Sequence, residues 1–309
     1  MSASPEFPAL PADWSEETGF LPDQNPTLFF RFFVKKSPVA KKTGRALFIV
    51  HGIGEQSDRF THFPHYLHTC VDAIGLIDLP GHGRSTGLRG HIENFDVYSQ
   101  SVIRGFEYFS KKTQPSLGPL EFHWLGCSMG GLISARTMVH FPILPLTSVT
   151  LAEPQFGIAI KIPWIKEFFG SLLEPVIGKI PLKNEIDVHL LSHDESVQKT
   201  YRENPLNHPF ASPRLYVNMK KEMAAMAKLT SEFPFNLFLI VPLADQIVDW
   251  KATYHFFDEV KMKTGMIKTM TSFPDFNHEA FNEIEKDRVF LALENWILKI
   301  SKLKPPAKV

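Results

Sequence analysis

Two kinds of apolar stretch alternate along the chain. Three short runs contain almost no polar residue: 46–50 (A-L-F-I-V), 73–79 (A-I-G-L-I-D-L) and 236–241 (N-L-F-L-I-V). Runs of this kind predict strands covered on both faces, as in the interior of a parallel sheet. Residues 121–125 and 148–151 read as further strands, and 267–272 as a short last one. Near the start, 18–21 and 28–34 (L-F-F-R-F-F-V) are strand-like and separated by the turn-forming Asp23-Gln24-Asn25-Pro26. Helical spacing marks 94–112, the stretch from Met129 onward, 250–263 and 287–302. In the last of these, Val289, Phe290, Leu293, Trp296, Ile297 and Ile300 form one apolar stripe. Strands and helices in alternation predict an α/β fold with a mostly parallel sheet.

The alternation breaks between about 153 and 232. Buried strand runs are absent there, and residues 156–180 mix aromatic and aliphatic side chains with lysines and prolines before polar helical segments take over. The stretch reads as a helical insertion over the sheet edge. That divides the chain into a core of residues 1–152 and 233–309 and a helical cap (lid) at 153–232. The apolar face of 156–180 is expected to pack onto the core, with a substrate-admitting or membrane-leaning surface as the alternative. Residues 1–16, rich in proline, and 304–309 read as irregular, and 35–45 as a solvated basic loop.

Composition narrows the function more than the fold. Thirty-three basic residues balance thirty-three acidic ones, so net charge points to no nucleic acid partner and no strong attraction to anionic membranes. The N-terminus lacks a basic region followed by an apolar run, and no apolar stretch reaches the length of a spanning helix. Two cysteines, Cys70 and Cys127, make no disulfide framework. Free thiols, a reducing compartment and a cytoplasmic location, with at most peripheral membrane contact through the cap, are therefore expected. The unusual figure is 27 phenylalanines, enough for a core and for a greasy pocket besides.

Chemistry enters at Gly126-Cys127-Ser128-Met129-Gly130, a G-x-S-x-G between a strand and a helix. A serine attacks well only if its hydroxyl projects free beside a proton acceptor, and a tight strand-to-helix turn gives that projection. The following helix start adds unsatisfied N–H groups and a positive dipole end. By chance alone the motif occurs in about one chain in ten of this length, so its placement between strand and helix carries the weight. Two more residues complete the reading, each just after a predicted strand: Asp245 and His278. The order Ser128, Asp245, His278 is that of an α/β-hydrolase triad. His278 would take the proton of Ser128, and Asp245 would orient the imidazole. The N–H groups of Ile53, in the loop His51-Gly52-Ile53-Gly54, and of Met129 would form the oxyanion hole. Asp249 and Glu153, which follows the sixth strand, are rival acids. No cofactor or metal is called for. His62, His65 and His68 recur every three residues but drift around a helix and lack a completing ligand, so they read as surface or packing residues. Pro80-Gly81-His82-Gly83-Arg84-Ser85 reads as a structural loop, without the lysine of a phosphate-binding loop.

Several of these pieces together resemble a known family. His51-Gly52-Ile53-Gly54-Glu55, Asp78-Leu79-Pro80-Gly81-His82-Gly83-Arg84-Ser85, Gly126-Cys127-Ser128-Met129-Gly130-Gly131, Asn204-Pro205-Leu206, Asp245-Gln246-Ile247-Val248-Asp249 and His278-Glu279 with Asn282-Glu283 look like the α/β-hydrolases of the monoacylglycerol lipase and lysophospholipase branch. The likeness covers about residues 17–296. It implies an α/β-hydrolase fold with an eight-stranded sheet and helical cap. It also implies a serine esterase that cleaves single-chain acyl glycerol esters or lysophospholipids. Cys127 stands where that family usually has histidine, and Pro242-Leu243 where it has glycine. Rival readings are a carboxylesterase, thioesterase or peptidase acting on smaller substrates, and a non-catalytic hydrolase-like binding protein.

Overall fold

Strand β3 (Gly44–Val50) shows how the apolar runs are used: Ala46, Phe48 and Val50 pack on one side of the sheet, Leu47 and Ile49 on the other. A computed structural model of the chain describes residues 7–22, 25–36, 43–160, 174–184 and 186–302. In it β3 is an interior strand of an eight-stranded sheet. The others are β1 (Trp14–Phe20), β2 (Phe29–Lys35), β4 (Ala73–Ile77), β5 (Leu120–Cys127), β6 (Leu146–Ala152), β9 (Asn236–Pro242) and β10 (Lys268–Phe273). Two-residue strands β7 (Leu182–Lys183) and β8 (Phe210–Ala211) form a separate ribbon. The main order is β1-β2-β4-β3-β5-β6-β9-β10. Only the β1–β2 and β2–β4 pairs are antiparallel; every other pair is parallel. The expected mostly parallel eight-stranded α/β sheet is therefore the one that forms.

Period-two alternation sends each interior strand's side chains into two separate cores. On one face, α2 (Phe95–Leu117), α3 (Met129–His140), α5 (Pro213–Ala227) and α6 (Trp250–Glu259) contribute Phe106, Phe109, Leu132, Met219 and Phe256, among others. On the other, α1 (Phe63–Leu67) and α7 (Asp287–Lys302) contribute Phe63, Leu67 and the predicted stripe from Val289 to Ile300. Helix α4 (Glu195–Glu203) lies outside both. Most of the buried phenylalanines serve these two faces. Phe109 lies over Gly75, where an added Cβ would sit 2.6 Å from its ring, and Phe48 packs 4.9 Å from Trp124.

Four local expectations change. Strand β1 begins at Trp14, inside the stretch 1–16 read as irregular, because its pairing with β2 extends back to Trp14 opposite Lys35. The 59–71 stretch is a 3-10 turn (Ser57–Phe60) followed by five-residue α1, with Pro64 in its first turn. His62 is fully buried, its Nε2–H donating to the Phe281 carbonyl at 3.0 Å, and among the described residues no cluster suited to a metal exists. Helix α2 continues past residue 112 to Leu117 because its last turns are polar and carry no apolar spacing to read; Gly118, at φ 74, ends it. Helix α6 stops at Glu259 rather than 263.

Between β6 and β9 the described pieces include a 3-10 turn (Val188–Leu190), α4, the β7–β8 ribbon and α5. Helix α5 buries Leu215, Met219, Met223 and Met226 in the same core as α2 and α3. Residues 161–173, the middle of the apolar 156–180 stretch, lie outside the described residues, as do 1–6, 37–42 and 303–309. Among the described residues no helix is long and apolar enough to cross a membrane. Cys70 and Cys127 are both buried and unbridged.

Buried neutral histidines set the acid limit of this fold. His51, His82 and His208 lie in a row with tilted rings, their centroids 5.4 and 4.8 Å apart. Burial holds each below the ordinary 6.5, His208 at about 4, and drives His62 and His123 to about 3. A lowered folded-state value means that the unfolded chain binds the proton first as pH falls below 6.5. Each such histidine then takes away up to about 1.4 kcal/mol per pH unit. Urea denaturation from neutral pH toward pH 4 is expected to give a steeply falling stability; a flat profile over that range would contradict these assignments.

Candidate active site

Ser128 sits where β5 turns into α3, at φ 51 and ψ −120, a left-handed conformation that costs a non-glycine residue energy. The neighbouring chain holds it there. Its N–H donates to the Ala152 carbonyl at 3.0 Å, and its carbonyl accepts from Gln155 N–H at 3.0 Å, so the end of β6 is fastened to the turn on both sides. Glycine is required at Gly126 and Gly130: an added Cβ would lie 2.5 Å from the Gly130 carbonyl oxygen in the first case and 2.2 Å from that of Val50 in the second.

Asp245 follows β9 and His278 follows β10, and both reach the serine. Ser128 Oγ lies 2.9 Å from His278 Nε2, and His278 Nδ1 lies 2.7 Å from Asp245 Oδ2. The other Asp245 oxygen accepts from the N–H groups of Ile247 and Val248 at 2.8 and 3.0 Å, which fixes the carboxylate and completes its partners. All three side chains are buried. With Nδ1–H donating to the carboxylate, Nε2 is left to accept the serine proton. Burial opposes charging His278, but the Asp245 carboxylate, through its charge and its hydrogen bond, outweighs that and raises the imidazole to about 9, with Glu153 and Glu279 adding.

The rival acids do other things. Asp249 caps α6, accepting from Lys251 N–H at 3.0 Å. Glu153 lines the cavity together with Cys127, while His278 Nδ1 is held by Asp245. Ile53 and Met129 both lie beside Ser128, and among the described residues neither backbone N–H has a protein acceptor. The peptide carrying the Ile53 N–H is locked: His51 Nδ1–H donates to the Gly52 carbonyl at 2.8 Å, while His51 Nε2 accepts from Leu79 N–H at 2.9 Å. Gly52 N–H in turn donates to Glu55 Oε1 at 2.5 Å. Because carbonyl and N–H of one trans peptide point opposite ways, holding the Gly52 carbonyl aims the Ile53 N–H.

Around the serine lies a cavity with two polar walls. On one side stand Glu55, Glu279, Tyr201 and Asn282, held from behind by Arg59, which binds Glu55 through Nε at 3.1 Å and Glu279 through Nη2 and whose guanidinium lies 4.9 Å from the Tyr201 ring centroid. Asn282 Nδ2 donates to Glu279 at 3.0 Å. Burial, then the charge of Glu279, push Glu55 up to about 7. On the other side stand Glu153 and Gln155, with Cys127 beneath. Apolar lining comes from Ile53, Phe60, Ile186, Leu191, Ile247 and Phe281.

The histidine loop is bound to the segment between β6 and β9. His278 N–H donates to the Leu190 carbonyl at 3.3 Å, Glu279 N–H to that of Leu191 at 2.7 Å, and Asn277 Nδ2 to that of His189 at 3.2 Å. Buried Glu283 accepts from Asn277 N–H at 2.8 Å and from His193 N–H at 3.1 Å. Sequence reading assigned no part to Arg59, Tyr201, Gln155 or Glu283. The Glu55–Arg59 spacing of four, just past a strand-end glycine loop, and the place of Glu283 in the family resemblance were the signals offered for them.

Known proteins resemble this chain over most of its length. The family model described as serine aminopeptidase, S33 matches residues 41–285. Human monoglyceride lipase is 26% identical over 262 residues, covering 81% of each chain, and the Bacillus subtilis phospholipase YtpA is 24% identical over 250 residues, 79% of this chain and 91% of that one. An uncharacterized abhydrolase domain-containing protein of Dictyostelium discoideum is 26% identical over 92% of this chain, which spans 29% of that protein's length. Among solved structures, the monoacylglycerol lipase of Paleococcus ferrophilus superposes with a TM-score of 0.72 at 25% identity, covering 82% of this chain and 94% of the other. By the family model, and by a sheet and topology shared with these structures, the chain belongs to the serine aminopeptidase S33 family of α/β-hydrolases, in the branch that resembles the monoacylglycerol lipases.

Proposed function

We propose that the protein cleaves the carboxylic ester of a monoacyl lipid through an acyl-enzyme on Ser128. The observation that carries the reading is the unbroken chain from Ser128 Oγ to His278 to Asp245, at 2.9 and 2.7 Å. His278 accepts the serine proton as Oγ attacks the ester carbonyl, and the imidazolium is stabilised by Asp245. The tetrahedral oxygen takes hydrogen bonds from the N–H groups of Ile53 and Met129. His278 then gives the proton to the departing alcohol. Water repeats the sequence to release the acid and restore the serine hydroxyl. Residues 153–232 act as the cap over this site, between core segments 1–152 and 233–309.

A hydroxylated alcohol suits the Arg59, Glu279, Tyr201 and Asn282 wall better than a phosphorylated one. The Arg59 guanidinium is already bound by two carboxylates, Glu55 and Glu279, and the Asp245 carboxylate stands behind His278, so a phosphate close to the ester would meet carboxylates rather than a free cation. This favours a monoacylglycerol over a lysophospholipid. The same crowding of polar groups supports a second reading, an esterase of smaller acyl groups.

Ser128→Ala is expected to lower kcat by about 10⁴-fold or more and abolish labelling by a fluorophosphonate probe. Asp245→Asn should cost about 10⁴-fold, whereas Asp249→Asn, which alters only a helix cap, should retain activity. Persistent labelling of Ser128→Ala, or equal losses at the two aspartates, would refute the assignment. Because His278 must be neutral to accept a proton and Asp245 raises it to about 9, kcat/KM should climb with pH through an alkaline midpoint. Asp245→Asn should move that midpoint down; a wild-type midpoint at or below 6.5 would count against the pairing. Exposed Val176, Ile180 and Leu182 beside Lys179 and Lys183 support peripheral membrane contact of the cap. Co-sedimentation with vesicles should weaken in Val176→Asp; unchanged pelleting would remove that part of the reading.

A further inference from the structure

The wall formed by Glu153 and Gln155 has no part in the mechanism above, yet it is built as firmly as the triad. Glu153 stands at φ 39, left-handed like Ser128, and its N–H donates to the Ile240 carbonyl at 2.9 Å. Two residues on, the Gln155 N–H bonds the Ser128 carbonyl at 3.0 Å. A turn with one strained residue, tied both to the serine and to β9, delivers two polar side chains into the cavity. Both are more than nine-tenths buried, at 5% and 7% exposure. Among the described residues, Glu153 Oε2 and Gln155 Oε1 have no hydrogen-bond partner. Burying two such atoms unsatisfied is costly unless a ligand completes them.

The contact of Arg59 with Glu279, next to His278, says which half of the substrate they face. Strands β3 and β6 flank β5 on opposite sides. The β3 side carries Glu55 and Arg59, and Arg59 reaches Glu279, the residue after His278. The departing alcohol is the group that His278 protonates, so it leaves along the Arg59–Glu279 wall. The acyl half is left with the β6 side, where Glu153 and Gln155 stand.

We propose that Glu153 and Gln155 form a specificity site for an acyl group bearing a hydroxyl within the first few carbons of the ester carbonyl, the hydroxyl bonding Glu153 Oε2 and Gln155 Oε1. The inference rests on the esterase reading and narrows its substrate. A hydroxyl both donates and accepts, which matches an amide oxygen that accepts and a carboxyl that can donate. Burial favours the protonated, donating form of this carboxyl, lifting Glu153 well above the ordinary carboxylate range, against His278, with Asp245, Glu55 and Glu279 adding to the lift. Cys127 beneath it is likewise held as the neutral thiol by burial and by Glu153. A plain alkyl chain would leave both polar atoms unbonded, and a site of that kind discriminates strongly against the analogue lacking the group.

The test uses p-nitrophenyl 3-hydroxybutyrate and p-nitrophenyl butyrate, which share a leaving group. The wild-type chain should favour the hydroxy ester in kcat/KM by roughly tenfold. Glu153→Leu should bring the ratio to one or below, Gln155→Leu should lower it, and Glu153→Gln, which keeps a donor and an acceptor, should preserve most of it. A wild-type ratio of one or less, or a ratio unmoved in both leucine variants, overturns the proposal. Should Glu153→Leu fail to fold by thermal unfolding, Gln155→Leu decides alone. A second pair, glyceryl butyrate and butyl butyrate, varies the alcohol instead. A Glu153→Leu effect confined to that pair would also overturn the assignment to the acyl half. Cleavage of butyrate without a hydroxyl preference ends this inference only. Hydrolysis of neither p-nitrophenyl ester ends the esterase reading and this one with it.

Discussion

Everything at the site depends on one backbone residue being held where it would not go unaided. Ser128 is left-handed, and an isolated chain would relax it toward an ordinary turn. The parallel ladder prevents this. Strands β3 and β6 pair with β5 up to its last residues, and the end of β6 adds a hydrogen bond to each side of the serine's peptide unit. The energy that keeps the serine strained comes from two apolar cores, one on each face of the sheet, whose burial greatly exceeds the local cost. Fold and site are therefore one problem: the sheet interior must be nearly all apolar for its edge to hold a hydroxyl in a high-energy turn.

Much of this was legible in the chain, for physical reasons. Apolar runs such as 46–50 and 236–241 can be satisfied only by burial on both faces, so they named the interior strands. The residues directly after the strands at 125, 241 and 272 had to lie at one edge, so they named Ser128, Asp245 and His278. Other features left no periodic trace. The last turns of α2 are polar, and a hydrophobic pattern cannot mark a helix end that is solvated. Five-residue α1 is too short to show a period. Of the partners of Arg59, Glu55 is four positions away and Glu279 is 220, and no local signal encodes the longer closure. Glu153 was legible as an acid near the histidine but not as a neighbour of Cys127 in the cavity lining, because only the register of β5 on β6, with Cys127 opposite Ala152, brings the two strand ends together.

The charge pattern around the serine is also a consequence of topology. Loops from β3, β6, β9 and β10 converge on one edge, and each brings a carboxylate: Glu55, Glu153, Asp245 and Glu279. One guanidinium and one imidazole answer four acids. The acids have been given three kinds of surroundings: Asp245 two backbone N–H groups, Glu55 and Glu279 a shared arginine, Glu153 a buried place in the lining beside Cys127. Segregating the acids in this way lets one small volume hold both the carboxylate that orients the histidine and one whose protonated form burial favours.

The ties between the histidine loop and residues 189–193 bear on how the molecule opens. His189, Leu190 and Leu191 offer their carbonyls to Asn277, His278 and Glu279 in turn, and Glu283 ties in His193. The segment between β6 and β9 and the proton acceptor are thus stitched into one piece along this seam. Peeling residues 189–193 back would drag the imidazole from the serine, so the margin that borders the histidine has to stay in place for the serine to keep its proton acceptor.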